Sequence, residues 1–241
     1  MMHLKGLLVL GMVLTVSLAR VMGQSTGSEA DEEPGMSVEA SYRQESVELM
    51  IIRELSRADD RDMKLQALEN IGRVLEKGNK EEAIGAALEY MAFEGTVNKT
   101  RENGRLVNNY PDVRVKVAYY LGKLGTAEAK AMLLKMLAVD YESMVLIEVI
   151  KSLTTLEDID EETINAITRV VRRFDIRGPD SLLALAALEA YHQFFMHHDG
   201  IRDLVTVQMI RRISEGPYRL AVRERAKAIL AQLSTYTKAG Q

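Results

Sequence analysis

The chain has 241 residues, 27 % of them charged and 47 % hydrophobic, with a formal charge of −4, 4 Pro, no Trp and no Cys. That length suits one or two domains with a real core. The missing Cys excludes disulfides, thiolate metal sites, a cysteine nucleophile and a lipid-modified N-terminal Cys, and the acidic balance argues against a dedicated nucleic-acid binder. Aromatics are only 5 %, so Leu, Ala, Met, Val and Ile carry the apolar weight, a composition that favours helix over sheet.

From the N-terminus, Lys5 precedes an apolar run from Gly6 to Leu18. A spanning helix needs about 20 apolar residues, so this shorter run reads as the core of a secretory signal peptide over residues 1–23. Val21 and Gly23 allow cleavage before Gln24, Ser17 and Ala19 offer a second place, and an uncleaved anchor is the other reading. Cleavage removes Lys5 and Arg20 and no acid, which takes the charge from −4 to −6. The expected location is periplasmic, with no stable membrane anchor after cleavage. Residues 24–40 are acidic and rich in Ser and Gly, and they read as a flexible lead that buries too little to offset its ordering entropy.

From Ser41 the apolar spacing becomes helical: Val47, Met50, Ile51 and Leu55 form one stripe, and Leu65, Leu68, Ile71, Val74 and Leu75 the next. No run alternates with period two for long enough to predict a strand. Breaks fall at Asp59-Asp60, Gly78-Asn79, Gly95 to Pro111, Gly125-Thr126, Asp158 to Asp160, Gly178-Pro179, Asp199-Gly200 and Gly216-Pro217. Thr126 and Asp160 suit N-caps, and Pro111, Pro179 and Pro217 stand where helices begin. The spacing predicts about ten helices in antiparallel pairs.

The pairs repeat. Pro111-Asp112-Val113-Arg114 through Ala118 and Leu121-Gly122 to Leu124-Gly125 matches Asp62-Met63-Lys64 through Ile71-Gly72, and Val222-Arg223 through Ala226 to Leu233 follows the same order. Weaker copies run from Tyr141 to Leu153 and from Pro179 to Tyr191. The spacing of about 30 to 50 residues is that of helical solenoids. These strings resemble the HEAT-repeat family and its bacterial relatives. The resemblance implies an all-α fold, an α-solenoid of about five HEAT-like helix pairs over residues 41–237, in which the second helix of each pair lines the concave face.

Asp112 with Arg114, Asp62 with Lys64, and Arg223 read as a charged ladder. Such groups either hydrogen-bond between neighbouring repeats or form a polar binding track. Ala118, Gly122 and Gly72 allow close helix approach. His192, His197, His198 and Asp199 are the densest histidine cluster, but His192 and His197 are five apart where a helical metal pair wants three or four. No metal and no cofactor is expected, and no nucleophile motif or phosphate loop supports catalysis.

The segment EGTVNKTRENGRLVNNY, residues 94–110, is longer than the other turns and is either functional or a mobile insertion. Its Lys99, Arg101, Arg105, Asn109 and Tyr110 suit a binding rim. Adjacent Tyr119 and Tyr120 cannot both face the core of one helix, so one of them should be exposed, on the second repeat near the insert. These seven residues are the expected binding site. Charge is uneven, acidic at the front and basic from Arg211 to Lys238, so a basic tail docking an acidic partner or another copy is a further expectation. The function expected is a non-enzymatic protein-interaction scaffold or adaptor in a bacterial cell-envelope assembly, whose partner is another envelope protein and not nucleic acid. A self-associating envelope spacer is the alternative, and a HEAT-like enzyme or cofactor-handling protein a third.

Overall fold

The computed structural model describes residues 38–156, 159–198 and 203–239. The chain divides into two units, Met1–Ser37 and Val38–Gln241, and the described residues all belong to the second. The expected signal peptide and the lead up to Ser37 lie outside the described residues.

The fold is all-α. Among the described residues ten helices follow in order: α1 (Val38–Arg57), α2 (Arg61–Glu76), α3 (Glu82–Ala92), α4 (Pro111–Leu124), α5 (Ala127–Val139), α6 (Ser143–Thr154), α7 (Glu161–Arg177), α8 (Ser181–His197), α9 (Leu204–Glu215) and α10 (Leu220–Ala239). None of them is long and apolar enough to cross a membrane. Carboxylates and a hydroxyl start five of them. Asp60, Asp180 and Asp203 each accept two backbone N–H groups of the first turn, and Thr126 and Asp160 accept one from Ala129 and Thr163. Each such cap contributes about 1 kcal/mol, because it satisfies a donor that the helix itself leaves free. Gly125, at φ 66°, ends α4 in the left-handed region that glycine tolerates best.

Two features depart from the sequence expectation. A break that no Gly or Pro announces separates α5 from α6, where the Asp140 carboxylate accepts the N–H groups of Tyr141 and Glu142. Strands also exist: β1 (Arg101–Glu102) pairs antiparallel with β2 (Arg105–Leu106) inside the segment between α3 and α4.

The helices form two layers. In the odd layer α1, α3, α5, α7 and α9 each pack on the next, and in the even layer α2, α4, α6, α8 and α10 do the same. The layers are joined within the pairs α1/α2, α3/α4, α5/α6, α7/α8 and α9/α10, an order compatible with an α-solenoid. Every repeat unit read from the sequence falls on an even helix. The matching positions Ala67, Leu68 and Ile71 of α2, Val117, Ala118 and Leu121 of α4, Val149, Ile150 and Leu153 of α6, and Ala187, Leu188 and Tyr191 of α8 are all buried in one core. Burying side chains of this size supplies about 1.5–3 kcal/mol for each large one, and no single pair could bury them alone.

Small residues set the spacing of the even layer. A Cβ on Gly122 would lie 2.9 Å from Ser152 Cβ of α6, and one on Gly72 would lie 2.6 Å from the Tyr120 hydroxyl of α4. The odd layer keeps open furrows instead: about 410 Å³ between α1 and α3, about 460 Å³ between α3 and α5, and about 270 Å³ between α5 and α7.

Polar joints tie one pair to the next. Arg114 Nε donates to Asp140 Oδ2 at 2.6 Å, and Lys64 Nζ lies 2.9 Å from Glu94 Oε2. Further along the stack the joint is made of hydroxyls: Thr168 of α7 lies 3.0 Å from both Tyr191 of α8 and Thr206 of α9. Burial pushes the Tyr191 phenol well above its ordinary range, so it stays a neutral hydroxyl in this joint. Lys130 Nζ donates to Asp160 Oδ2 at 2.7 Å. Partial burial of Asp160 pushes its carboxyl up, but the bonds from Lys130 and from Thr163 outweigh that and hold it at about 2.

Candidate protein-docking surface

The insert between α3 and α4 is built on buried polar groups. Arg114, only 2 % exposed, lies in the first turn of α4 and reaches three places. Its Nε and Nη2 donate to Asp140, its Nη1 donates to the Glu94 carbonyl at 3.3 Å, and Nη1 also donates to Asn109 Oδ1 at 2.9 Å. Lys64, fully buried in α2, donates to the Ser56 carbonyl and pairs with the Glu94 carboxylate. Glu94 is thereby held by its backbone from one side and by its side chain from the other. Buried cations are tolerated only when paired and hydrogen-bonded, and both conditions are met here.

The far end of the insert closes in the same way. Buried Asn108 donates through Nδ2 to the Asn98 carbonyl and accepts the Thr100 N–H on Oδ1. Gly95 (φ 74°) passes so close to Asn108 that a Cβ would lie 2.6 Å from its carbonyl oxygen. Between these anchors Asn103 (φ 49°) and Gly104 (φ 82°) make the two-residue turn of the β1–β2 hairpin. Both central residues have positive φ, the geometry for which Asn-Gly is the favoured pair. The insert is therefore built as a hairpin closed by hydrogen bonds at both ends.

Of the seven expected site residues, Lys99, Arg101 and Arg105 are exposed on this hairpin. Arg101 Nη1 donates to the Gly104 carbonyl at 3.0 Å, which fixes its stem across the turn. Asn109 and Tyr110 are engaged structurally: Asn109 accepts from Arg114, and the Tyr110 hydroxyl donates to the Asp59 carbonyl at 3.1 Å. Tyr119 is 46 % exposed, while Tyr120 is half-buried against Gly72, the division expected of adjacent positions. Their rings meet edge to face with centroids 5.3 Å apart, and Lys123 Nζ stands 5.5 Å from the Tyr119 ring centre. Tyr110 starts α4, and Tyr119 follows nine residues later, about 13 Å along the axis. The expected site thus resolves into two clusters on one pair, the cationic hairpin at the start of α4 and the tyrosine pair near its end.

The charged ladder is divided between core and surface, with Asp62 exposed and Asp112 partly exposed. Arg114 and Lys64 are buried in neighbour-spanning pairs, Arg61 pairs with both Asp62 and Asp112, and the half-buried Arg223 leaves its Nε without a partner. His198 Nε2 lies 2.9 Å from the Ile159 carbonyl, which only accepts, and its ring stacks on Phe194 at 4.3 Å. His197 Nδ1 contacts the Gln193 carbonyl at 2.8 Å, and Asp199 lies outside the described residues. Among the described residues no three His, Asp or Glu side chains converge on one point.

No family model and no curated protein matches this chain. The surface is therefore read from its own geometry. The basic and aromatic groups that sequence reasoning did not single out are on α7: Arg169, Arg173 and Arg177, with Tyr141 beside them.

Proposed function

We propose that the chain is a non-enzymatic protein-interaction scaffold, a HEAT-like α-solenoid of a bacterial cell envelope. In this reading it captures another envelope protein on the second helix pair. The hairpin carries the reading: internal hydrogen bonds and two buried cations hold a segment whose outermost groups are Lys99, Arg101 and Arg105. A rim fixed in this way loses little conformational entropy on binding, which leaves more of the contact energy as affinity. Tyr119 supplies a second anchor, with large area and few rotatable bonds. Export is supported by the apolar run from Gly6 to Leu18 after Lys5.

The test is photo-cross-linking in the native host, with a photoreactive residue in place of Arg101 or of Tyr119 in the full chain. A discrete adduct with one other envelope protein, lost in K99E/R105E, is the expected result. An adduct only with the chain itself favours the spacer. The absence of any adduct from both positions, at normal abundance of the chain, overturns the reading.

A further inference from the structure

The furrow between α5 and α7 differs from the others in charge. Leu134, Leu137 and Val170 contribute to its apolar floor, and Arg169 and Arg173 stand along one edge. Tyr141, 58 % exposed, lies near two guanidinium groups, one of them the furrow residue Arg173 at 4.7 Å and the other Arg177 at 5.3 Å from the ring centre. Arg173 is fixed further by donating to the Ala138 and Asp140 carbonyls at the end of α5. Four arginines fall between Arg169 and Arg177, and the single acid among them, Asp175, is turned away to Arg212 and Tyr218. No carboxylate among the described residues pairs with Arg169, Arg172, Arg173 or Arg177.

Arg169, Arg173 and Arg177 are spaced i, i+4 and i+8, so they form a row with steps of about 6 Å. Like charges at that spacing repel one another, and no carboxylate among the described residues forms an ion pair with the row, while the Tyr141 ring, two backbone carbonyls and the nearby Asp140 steady Arg173. An extended peptide advances about 6.7 Å every two residues. Its alternate side chains therefore keep step with the arginine row, while the side chains between them face out.

We infer that the α5–α7 furrow is a docking site for an extended acidic segment of a partner protein, with carboxylates at alternate positions meeting Arg169, Arg173 and Arg177. Guanidinium groups suit the role because they bind carboxylates through two parallel N–H donors. Tyr141 restrains the guanidinium groups of Arg173 and Arg177 at this end of the row by cation–π contact. Acidic stretches that are extended when free bind such rows through charge. The site lies on the third and fourth pairs and does not depend on the hairpin of the second.

The test uses the full chain and two fluorescein-labelled nonapeptides of the same composition. In one, Glu alternates with Ser; in the other, the Glu residues are contiguous. Anisotropy should show tighter binding of the alternating peptide, weakening as salt is raised past about 0.15 M. The R169E variant should lose at least about tenfold in affinity, and R172E, an equal charge change whose side chain points about 100° round the helix from Arg173, no more than about threefold. Equal losses in the two variants, or equal binding of the two peptides, overturn the inference in favour of a diffuse basic field. Binding to phosphatidylglycerol vesicles with no binding of either peptide overturns it in favour of a lipid surface. Loss of the hairpin adducts would leave this result unchanged.

Discussion

Arg114 and Asp140 form a buried ion pair that joins the start of α4 to the turn before α6, with Nε 2.6 Å from Oδ2 and both side chains at most 2 % exposed. The same two residues organise their own surroundings, since Arg114 fixes the insert through Glu94 and Asn109 and Asp140 makes the α5–α6 turn. Removing one partner leaves a charge in the core without its counterpart. Arg114→Met should cost about 3–5 kcal/mol in urea unfolding followed by far-UV circular dichroism. The double variant R114M/D140N should recover part of that loss, because no bare carboxylate remains. A loss under about 1 kcal/mol for R114M would mean that water reaches this pair.

Glycines in the even and odd layers should respond with opposite signs. Gly122→Ala presses a methyl into Ser152, so α4 and α6 must part, and a net loss of about 1–2 kcal/mol is expected despite the better helix propensity of Ala. Gly85, inside α3, has nothing within 4 Å of its missing Cβ, and Gly85→Ala should gain about 0.5–1 kcal/mol. Gly72→Ala meets the Tyr120 hydroxyl, so its cost should shrink in a Tyr120→Phe background. Thermal unfolding of the five variants checks all three.

Acid should weaken the fold through the carboxylates that start helices. The Asp160 carboxyl is held at about 2 against an ordinary 3.8, and the Thr206 hydroxyl holds Asp203 below its ordinary range against a smaller upward push from burial. Folded values below unfolded ones stabilise above the ordinary carboxylate range, and that contribution is lost as pH falls from about 4 towards 2. The urea midpoint should fall over this window, and Asp160→Asn, which cannot titrate, should flatten part of the fall. An identical pH profile for wild type and Asp160→Asn would remove the Lys130–Asp160 bond from the account.

The hairpin turn should be separable from the helical core. Replacing Asn103 and Gly104 by Ala puts a new side chain at positive φ at 104 and removes the better-tolerated Asn at 103, a strain of about 1–3 kcal/mol in all. The β1–β2 pair should open while the helices keep their circular dichroism, and trypsin should cut after Arg101 and Arg105 faster than in wild type. Unchanged cleavage would show that the anchors at Asn108 and Arg114 hold the segment without its turn.

Helices and repeats were legible because both are written in nearest-neighbour chemistry. The apolar spacing of Ala67, Leu68 and Ile71 returns in Val117, Ala118 and Leu121, and Asp60, Thr126 and Asp160 each cap the helix that starts at the next residue. The α5–α6 turn was not legible, because Asp140 reads as an ordinary helix residue until its carboxylate is seen turning back on Tyr141 and Glu142. Asn103-Gly104 is a strong hairpin signal, but the flanking strands are two residues long and gave no alternation to support it. In the candidate site the division between Tyr119 and Tyr120 followed from helical geometry alone. The engagement of Asn109 and Tyr110 did not, since their partners, Arg114 and the Asp59 carbonyl, are chosen by packing. The arginine row of α7 was not singled out from sequence, where the basic charge was read from Arg211 onward, because its furrow and Tyr141 come from α5 and the turn after it, about 30 residues earlier.

The joints between pairs also imply an order in which the units let go on heating. Of the buried joints, those at Lys64–Glu94 and Arg114–Asp140 are ionic, and the one at Thr168, Tyr191 and Thr206 is made of neutral hydroxyls, the later ion pairs such as Arg212–Asp175 and Arg225–Glu189 being partly exposed. Dehydrating a charge becomes less unfavourable as temperature rises, whereas neutral hydroxyls gain no such relief. Warmth thus tilts the balance towards the front half of the stack. Amides of α7 to α9 should be the earlier ones to exchange with solvent, and the basic furrow should come loose before the hairpin rim does.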